Sequence, residues 1–266
     1  MSMAHQSNFR QRFRAGESLV GSFIKTPTAH SIEILGGIGF DFVVIDEEHA
    51  PFDRVAIDTG LLAARAVGTA GIVRVAEPSP SRLLSVLDDG AAGVLVPHVS
   101  SVEKAKAVVS ACRYRGGSRG FSNSPRAGGY GALGMWQHVE AQDKSVTVIA
   151  MIEDPEALDV IDEIVAIDGL DGVFIGRGDL SVAMGAESMS ARAVQSASER
   201  IIKAAAAAGK PVCILVGSIA EAATFAELGA SAFIVSSDQG LMRQAAGKVI
   251  TDFRRMAGNP QVVAAG

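Results

Sequence analysis

Acidic residues and a histidine follow a short apolar segment close to position 45. Residues 42–45 are all apolar, and Asp46, Glu47, Glu48 and His49 come directly after them. A histidine can transfer protons near neutral pH, and a neighbouring carboxylate commonly orients its ring. We therefore interpret His49 as a candidate for proton transfer and Asp46 as the carboxylate that positions it.

Three further charged residues stand at the ends of other apolar segments. Glu153 ends VIAMIE, Asp179 follows VFIGRG, and Arg74 lies within IVRVAE. Two carboxylates can hold a hard divalent cation such as Mg²⁺ or Mn²⁺, with water and substrate oxygens as the other ligands. The arginine could bind a carboxylate or stabilise a developing oxyanion. With a proton-transfer histidine, these groups suit a reaction through an enolate.

The elements that must position these residues are short apolar segments separated by helical patterns. Continuous runs rich in Val, Ile, Leu and Phe are typical of strands covered on both faces. Eight such runs predict strands at residues 19–24, 41–45, 71–75, 93–97, 146–152, 172–175, 212–216 and 232–235. Two capping boxes predict helix starts, and glycines just before the next strand predict helix ends. The boxes pair Ser100 with Glu103 and Ser218 with Glu221, and the glycines are Gly39, Gly90, Gly169, Gly209 and Gly229.

Eight strands alternating with helices in 266 residues predict a (β/α)8 barrel, with an open doubly wound sheet as the alternative. We expect one domain over residues 1–266, with residues 1–17 as a peripheral N-terminal segment. Active sites of such barrels lie at the C-terminal ends of the strands, so the charged strand ends should converge there. The glycine-rich stretch 113–134 is too long for a routine connection, and we expect it to cover this mouth.

The bulk composition narrows the class of protein. The net charge is −5, whereas a nucleic-acid footprint is usually basic. The N-terminal residues lack the apolar core of a signal peptide, and no apolar run approaches the roughly 20 residues that span a bilayer. Cys112 and Cys213 lack metal-ligand spacing and are expected to be buried thiols. We expect a cytoplasmic protein without membrane or nucleic-acid partners.

Several of these segments together resemble the HpcH/HpaI aldolase family of metal-dependent pyruvate aldolases. VIDEEHAP, VRVAEP, YRGGSRGF, MIED and GVFIGRGDLSVAMG occur in the family's order, and the resemblance covers about residues 19–254. It implies a (β/α)8 barrel assembled as a homohexamer built from trimers, with the last helix packed on a neighbouring subunit. It also implies a divalent cation (Mg²⁺, Mn²⁺ or Co²⁺) and no organic cofactor.

The resemblance assigns roles to individual residues. Glu153 and Asp179 would be the metal ligands, and Arg74 would contact the pyruvyl carbonyl. His49, paired with Asp46, would transfer protons. The substrate carboxylate would bind the backbone N–H groups of Gly178 and Asp179, in the segment Gly176-Arg177-Gly178 that opens the motif. Glu48 would support the proton-transfer pair or the water around the metal.

Three positions bear on how closely the family pattern applies. Asp88 matches an acid that the family presents to the site from an adjacent subunit. Arg177 stands where the family commonly has proline, and we expect it to add a cation near the substrate carboxylate. Glu47 replaces a usual glycine and is the least suited of its cluster to chemistry.

The function implied is reversible retro-aldol cleavage of 4-hydroxy-2-oxo acids to pyruvate, or hydroxypyruvate, and an aldehyde. One alternative is a Schiff-base aldolase using Lys25, and another is an acyl-CoA lyase of the citramalyl- or malyl-CoA type. The segment GGSRG at residues 116–120 fits a serine-hydrolase motif but follows a helix instead of a strand. A non-catalytic binding barrel is the remaining alternative. Arg119 and Arg126, in the long loop, are candidates for gripping an acidic aldehyde tail.

Overall fold

A closed barrel of eight parallel strands in sequential order forms the centre of the protein. The computed structural model describes residues 8–256. The strands are β1 (Leu19–Ile24), β2 (Phe42–Asp46), β3 (Ala70–Arg74), β4 (Gly93–Val96), β5 (Thr147–Ile152), β6 (Gly172–Ile175), β7 (Val212–Val216) and β8 (Ala232–Ser237). The predicted (β/α)8 barrel is therefore confirmed, and each predicted strand lies within two residues of an observed one.

Helices surround the barrel and connect its strands. They are α1 (Phe9–Arg14), α2 (Ala29–Gly37), α3 (Arg54–Val67), α4 (Pro80–Asp88), α5 (Val102–Cys112), α6 (Met135–Ser145), α7 (Ile161–Val165), α8 (Arg177–Ala183), α9 (Arg192–Ala207), α10 (Ile219–Leu228) and α11 (Asp238–Met256). Short 3-10 turns lie at Arg126–Gly128 and Pro155–Leu158. Within the described residues, none of these helices has the length and apolarity needed to cross a membrane.

Two apolar layers explain why the strands are apolar on both faces. Side chains from alternate strand positions, such as Val44, Ile72 and Phe174, fill the barrel interior. The intervening positions, such as Val43 and Val73, pack outward against the helices. Since both faces of a strand are buried in this architecture, its sequence reads as a continuous apolar run. Cys112 and Cys213 are buried free thiols within these layers, as expected.

The predicted helix ends are confirmed, whereas one predicted start is displaced. Gly39, Gly90, Gly169, Gly209 and Gly229 all have positive φ. Ser218 caps α10 by accepting from the N–H of Glu221. The cap of α5 is Ser101, which accepts from Lys104 N–H, so the predicted box at Ser100 is wrong by one residue. Consecutive serines offer two candidate caps, and the extended backbone at Ser101 selects the second.

The N-terminal segment is not wholly peripheral, because α1 closes the lower end of the barrel. Phe9 and Phe13 are each 1% exposed and belong to the interior layer. Phe9 packs on Phe42 at a ring-centroid distance of 5.3 Å. The Arg10 guanidinium binds Asp171, which precedes β6, at 2.9 Å. Residues 1–7 of the segment lie outside the described part of the chain.

The glycine-rich stretch 113–134 lies at the end of the barrel opposite the predicted mouth, so our placement was wrong. Arg113 donates to the Val146 carbonyl, just before β5, and Arg126 donates to the carbonyl of Asp89, just after α4. The reason is chain direction. Helix α5 runs antiparallel to β4 and returns the chain to the N-terminal ends of the strands, where the stretch then begins.

Candidate active site

A cavity of about 300 Å³ opens at the C-terminal ends of the strands. Its floor is apolar and comes from the top of the barrel interior, including Phe23, Met151 and Phe174. Its polar lining consists of Lys25, Arg74, Gly176, Arg177, Gly178, Asp179, Ser236 and Ser237. Polar groups from several strand ends over an apolar floor are typical of a small-molecule site.

Asp46 and Arg74 form a buried ion pair at one wall of this site. They occupy matched positions on the neighbouring strands β2 and β3. The guanidinium donates from Nε to Oδ1 at 2.9 Å and from Nη2 to Oδ2 at 2.8 Å, and the carboxylate is fully buried. Phe23 packs under the guanidinium at 4.7 Å. Burial disfavours the Asp46 anion, but the hydrogen bonds from Arg74 and Lys25 hold its pKa below the usual value.

Lys25 also pairs with Asp46, from the end of β1. Its Nζ lies 3.0 Å from Asp46 Oδ2. A Schiff-base lysine must present its nitrogen to a carbonyl, whereas the Lys25 Nζ is engaged by the Asp46 carboxylate. The geometry therefore disfavours the Schiff-base alternative.

His49 lies at the mouth but does not pair with Asp46 through its ring. Its Nε2 lies 3.6 Å from Glu48 Oε2, and the side chain is 54% exposed. Asp46 instead accepts from the backbone N–H of His49 at 3.2 Å. The expected side-chain pairing is thus not observed, because Arg74 and Lys25 already surround the Asp46 carboxylate. Glu48 lies between His49 and Arg74, since its Oε2 is also 3.2 Å from Arg74 Nη1.

Glu153 is a buried carboxyl surrounded by other acids. It is 2% exposed and accepts a 2.7 Å hydrogen bond from the backbone N–H of His98. Its pKa is raised from 4.5 to about 7, chiefly by burial and to a smaller extent by the nearby charges of Asp179 and Glu48, while His98 opposes the shift. The His98 ring, whose Nδ1 lies 3.6 Å from Glu153 Oε1, offsets an anion here only in part, and a divalent cation would supply a stronger compensating charge.

The start of α8 brings the second proposed ligand to the same place. Gly176 adjoins the Glu153 side chain so closely that a Cβ there would lie 2.6 Å from Glu153 Oε2. The missing side chain therefore leaves the space that the carboxylate occupies. Gly178 and Asp179 follow in the first turn of α8, and both are exposed at the cavity.

The donor set at this point fits a hard divalent cation. Its potential ligands are carboxylate oxygens, which Mg²⁺, Mn²⁺ and related ions accept. Among residues 8–256, no three His, Cys, Asp or Glu side chains are grouped closely enough to hold a metal by themselves. A site with two protein carboxylates leaves the remaining positions to water and substrate oxygens, which is common for Mg²⁺.

Comparisons with known proteins identify the family of this chain. The family model for HpcH/HpaI aldolase/citrate lyase matches residues 19–245. The chain belongs to the HpcH/HpaI family. It is 34% identical to a 5-keto-4-deoxy-D-glucarate aldolase of Escherichia coli, over 94% of this chain and 97% of the relative.

Solved structures share the fold of this chain. A family protein from Burkholderia cenocepacia J2315 superposes with a TM-score of 0.89 at 27% identity, covering 93% of this chain and 99% of that one. The citrate synthase SbnG superposes with a TM-score of 0.85 at 29% identity, covering 94% and 99%.

The two departures from the HpcH/HpaI pattern have structural partners. Arg177 lines the cavity, and its guanidinium donates to Glu221 at 2.6 Å and to the Leu215 carbonyl at 2.7 Å. Its charge is therefore paired with Glu221, and the expected role of Arg177 near the substrate carboxylate stays a prediction. Glu47 accepts from Arg82 of α4 at 2.8 Å, which agrees with a structural role.

Asp88, Arg119 and Arg126 lie away from the mouth of their own barrel. Arg119 donates to Asp88 at 3.2 Å, and the Nη1 of Arg126 lies 2.8 Å from Asp58 Oδ1. These contacts occur at the N-terminal ends of the strands. Within one chain, neither arginine reaches a substrate in the cavity. Ser118 of the GGSRG segment contacts Ser110 in the same region, after a helix, so it is not a strand-to-helix nucleophile.

His98 is a site residue that the sequence analysis missed. It follows β4 and has φ 54°, an unusual value for a non-glycine residue. Its Nδ1 lies 3.0 Å from Asp154 Oδ1, and its Nε2 lies 3.9 Å from Glu48. Its position two residues past the end of β4, in VLVPHV, was the available signal.

Proposed function

We propose that this chain catalyses the reversible, metal-dependent retro-aldol cleavage of 4-hydroxy-2-oxo acids. The observation that supports it best is the meeting, at one barrel mouth, of the carboxyl pair Glu153 and Asp179 with the Arg74–Asp46 ion pair. The carboxyls suit a cation and the arginine suits an oxyanion. An enolate intermediate needs both kinds of positive charge near its oxygens.

Glu153 and Asp179 would hold the divalent cation, with Mg²⁺, Mn²⁺ and Co²⁺ as candidates. The cation would act as a Lewis acid that offsets charge developing on the 2-oxo oxygen. Glu153 must give up its proton to bind a cation. Because its pKa is raised to about 7, this deprotonation is readily achieved only near or above neutral pH.

The chain's other groups would bind and orient the substrate. Arg74 would donate to the 2-oxo oxygen, and its guanidinium is held in place by hydrogen bonds to Asp46 and by packing on Phe23. The backbone N–H groups of Gly178 and Asp179 would hold the carboxylate.

His49 would act in proton transfer, and its exposed ring beside Glu48 gives it access to both substrate and solvent. The 4-hydroxyl proton goes to the base, the C3–C4 bond breaks as the aldehyde forms, and C3 of the enolate then takes up a proton. Pyruvate, or hydroxypyruvate from a 3-hydroxylated substrate, is released.

The substrate that we propose is 5-keto-4-deoxy-D-glucarate, the compound in the name of the Escherichia coli relative. Numbered from its keto end, this six-carbon diacid is a 4-hydroxy-2-oxo acid. Cleavage would give pyruvate and an aldehyde that retains the second carboxylate.

Activity after metal removal tests the proposal. Protein dialysed against EDTA should lose pyruvate formation and regain it with Mg²⁺, Mn²⁺ or Co²⁺. Asp179→Asn should not be rescued, whereas Glu187→Gln, which changes an exposed acid beyond α8, should behave as wild type. Full activity of the metal-free protein would overturn the metal-dependent mechanism. Trapping of a pyruvate adduct by borohydride would favour the Schiff-base alternative.

We also propose a homohexamer in which α11 packs on a neighbouring subunit. Large apolar side chains are exposed along this helix, namely Met242, Val249, Ile250, Phe253 and Met256. Exposed apolar rows of this kind mark contact surfaces. Light scattering with size-exclusion chromatography should give six times the chain mass for wild type and a smaller assembly for Phe253→Asp. A monomeric wild type would refute the assembly.

A further inference from the structure

One wall of the candidate active site carries a second cation and two hydroxyl groups that the proposed mechanism does not use. Lys25, Ser236 and Ser237 line the cavity from the adjacent strands β1 and β8. In an eight-strand closed barrel, β1 lies opposite β5, whose end carries Glu153. A substrate with its 2-oxo acid group near Glu153 would therefore extend toward this wall.

Lys25 is held firmly at the strand end. The backbone N–H groups of Lys25 and Thr26 donate to the two oxygens of the Asp238 carboxylate at 2.8 and 3.2 Å. Its side chain reaches Asp46, where Nζ lies 3.0 Å from Oδ2. An ammonium has three N–H donors, and this contact occupies one. A lysine fixed in this way binds a ligand with less loss of side-chain entropy than a free surface lysine.

The charges around Asp46 leave Lys25 as the cation on the side of the β1–β8 wall. Arg74 already neutralises the Asp46 carboxylate through two hydrogen bonds, so Lys25 is a second cation on the same anion. Asp46, Arg74 and Lys25 together carry one positive charge. Glu48 balances that charge from the Arg74 side, where it contacts Nη1. The ammonium is therefore the end of the cluster that faces the β1–β8 wall.

The two serines complete the polar wall. Ser236 has φ 58°, a left-handed conformation that is uncommon for a non-glycine residue and costs free energy. Strain of this kind is often found where a backbone is shaped for a ligand. The Ser237 Oγ accepts from Gly240 N–H at 3.1 Å, which leaves its hydroxyl hydrogen to donate elsewhere.

The other arginines considered for substrate binding are each engaged by partners of their own. Arg177 binds Glu221 and the Leu215 carbonyl. Arg119 and Arg126 lie at the opposite end of the barrel with acidic partners. Within residues 8–256, three cations line the cavity, namely Lys25, Arg74 and Arg177, and Arg177 is balanced by its own acidic partner, Glu221. Arg74 has a role at the 2-oxo oxygen, which leaves Lys25 for a more distant group.

We propose that Lys25, with Ser236 and Ser237, forms a subsite for a second carboxylate at the far end of the substrate, so that the enzyme selects diacids. The inference rests on the proposed retro-aldol function and adds the residues that would recognise the far carboxylate of its substrate. The subsite supplies one charge-assisted hydrogen bond from the ammonium and neutral ones from the hydroxyls, a combination suited to a carboxylate.

The test compares two substrates that differ only at the far end. One is 5-keto-4-deoxy-D-glucarate, and the other is the otherwise identical mono-acid with a hydroxymethyl group in place of the far carboxylate. The measurement is the ratio of kcat/KM for the diacid to that for the mono-acid. Lys25→Met should lower this ratio about 10- to 100-fold, the usual effect of losing a charged hydrogen bond.

Three further variants make the result decisive. Lys25→Arg should preserve most of the ratio, and Lys106→Met, which changes an exposed lysine on α5, should leave it at the wild-type value. Ser236→Gly should relieve the strained backbone and raise the unfolding temperature while lowering the ratio. An unchanged ratio in Lys25→Met, with both substrates slowed equally, would mean that Lys25 only positions Asp46 and Arg74, and would overturn the proposal.

A binding measurement separates this inference from the proposed function. Calorimetric titration with malonate, a simple dicarboxylate, should show weaker binding to Lys25→Met than to wild type, and equal binding to Lys106→Met. If wild type cleaves neither substrate, the proposed function fails while this titration still tests the subsite. Equal malonate affinity in wild type and Lys25→Met would count against the subsite even if cleavage occurs.

Discussion

Replacing Glu153 with glutamine is expected to stabilise the metal-free protein above neutral pH, although it should abolish activity. Burial and the charges of Asp179 and Glu48 raise the pKa of Glu153 from 4.5 to about 7. A carboxyl with a raised pKa stabilises the folded state at low pH, below its unfolded value. That stability is lost as the pH rises toward the folded value, because the folded protein must then hold an unfavourable anion.

The size of the effect follows from the raised pKa. At about 1.4 kcal/mol per pKa unit, the change from 4.5 to about 7 is worth roughly 3 kcal/mol. Wild type in EDTA should therefore lose roughly 3 kcal/mol of unfolding free energy, relative to Glu153→Gln, between pH 5 and pH 8. Glutamine retains an oxygen that can accept from His98 N–H, so the comparison isolates the charge.

Urea denaturation at a series of pH values, with EDTA present, measures this difference. Glu156→Gln is the matched control, because Glu156 is exposed three residues along the chain and its profile should follow wild type. Added Mg²⁺ at pH 8 should raise the stability of wild type and leave that of Glu153→Gln unchanged. Parallel pH profiles for wild type and Glu153→Gln would refute the argument that Glu153 is a strained, buried anion awaiting a cation.

Three further outcomes are expected. Arg74→Lys keeps the charge but loses the paired contact with Asp46, and kcat should fall by at least about 100-fold in steady-state kinetics; a smaller loss would argue against oxyanion stabilisation. Arg177→Met leaves Glu221 without its cation and should cost about 1–3 kcal/mol in urea denaturation. The preference of the Arg177→Met enzyme for diacids should equal that of wild type, and a changed preference would indicate that Arg177 binds the substrate. His138 is buried, which lowers its pKa, so stability should decline as the pH falls from 7 to 5 while the unfolded chain takes up a proton. His138→Gln should flatten that decline, and an unaltered pH profile would contradict it.

The order and approximate limits of the strands were accessible from the sequence. A parallel strand covered on both sides must be apolar throughout, so it appears in the sequence as a run of consecutive apolar residues. Because the strands of a barrel all end at one face, the strand limits alone predict that Asp46, Arg74, Glu153 and Asp179 lie near one another. The sequence likewise marked the helix ends, since glycine with positive φ is a local property of the chain.

The partners of the charged side chains were decided only by the tertiary structure. Asp46 contacts Lys25 and Arg74 instead of the His49 ring, and Arg177 pairs with Glu221. The stretch 113–134 lies at the end of the barrel opposite the mouth, and His98 enters the site through an unusual backbone angle. A buried charge binds whichever opposite charge the packed fold brings within reach. These partners come from strands and helices distant in sequence, so no local pattern along the chain specifies them.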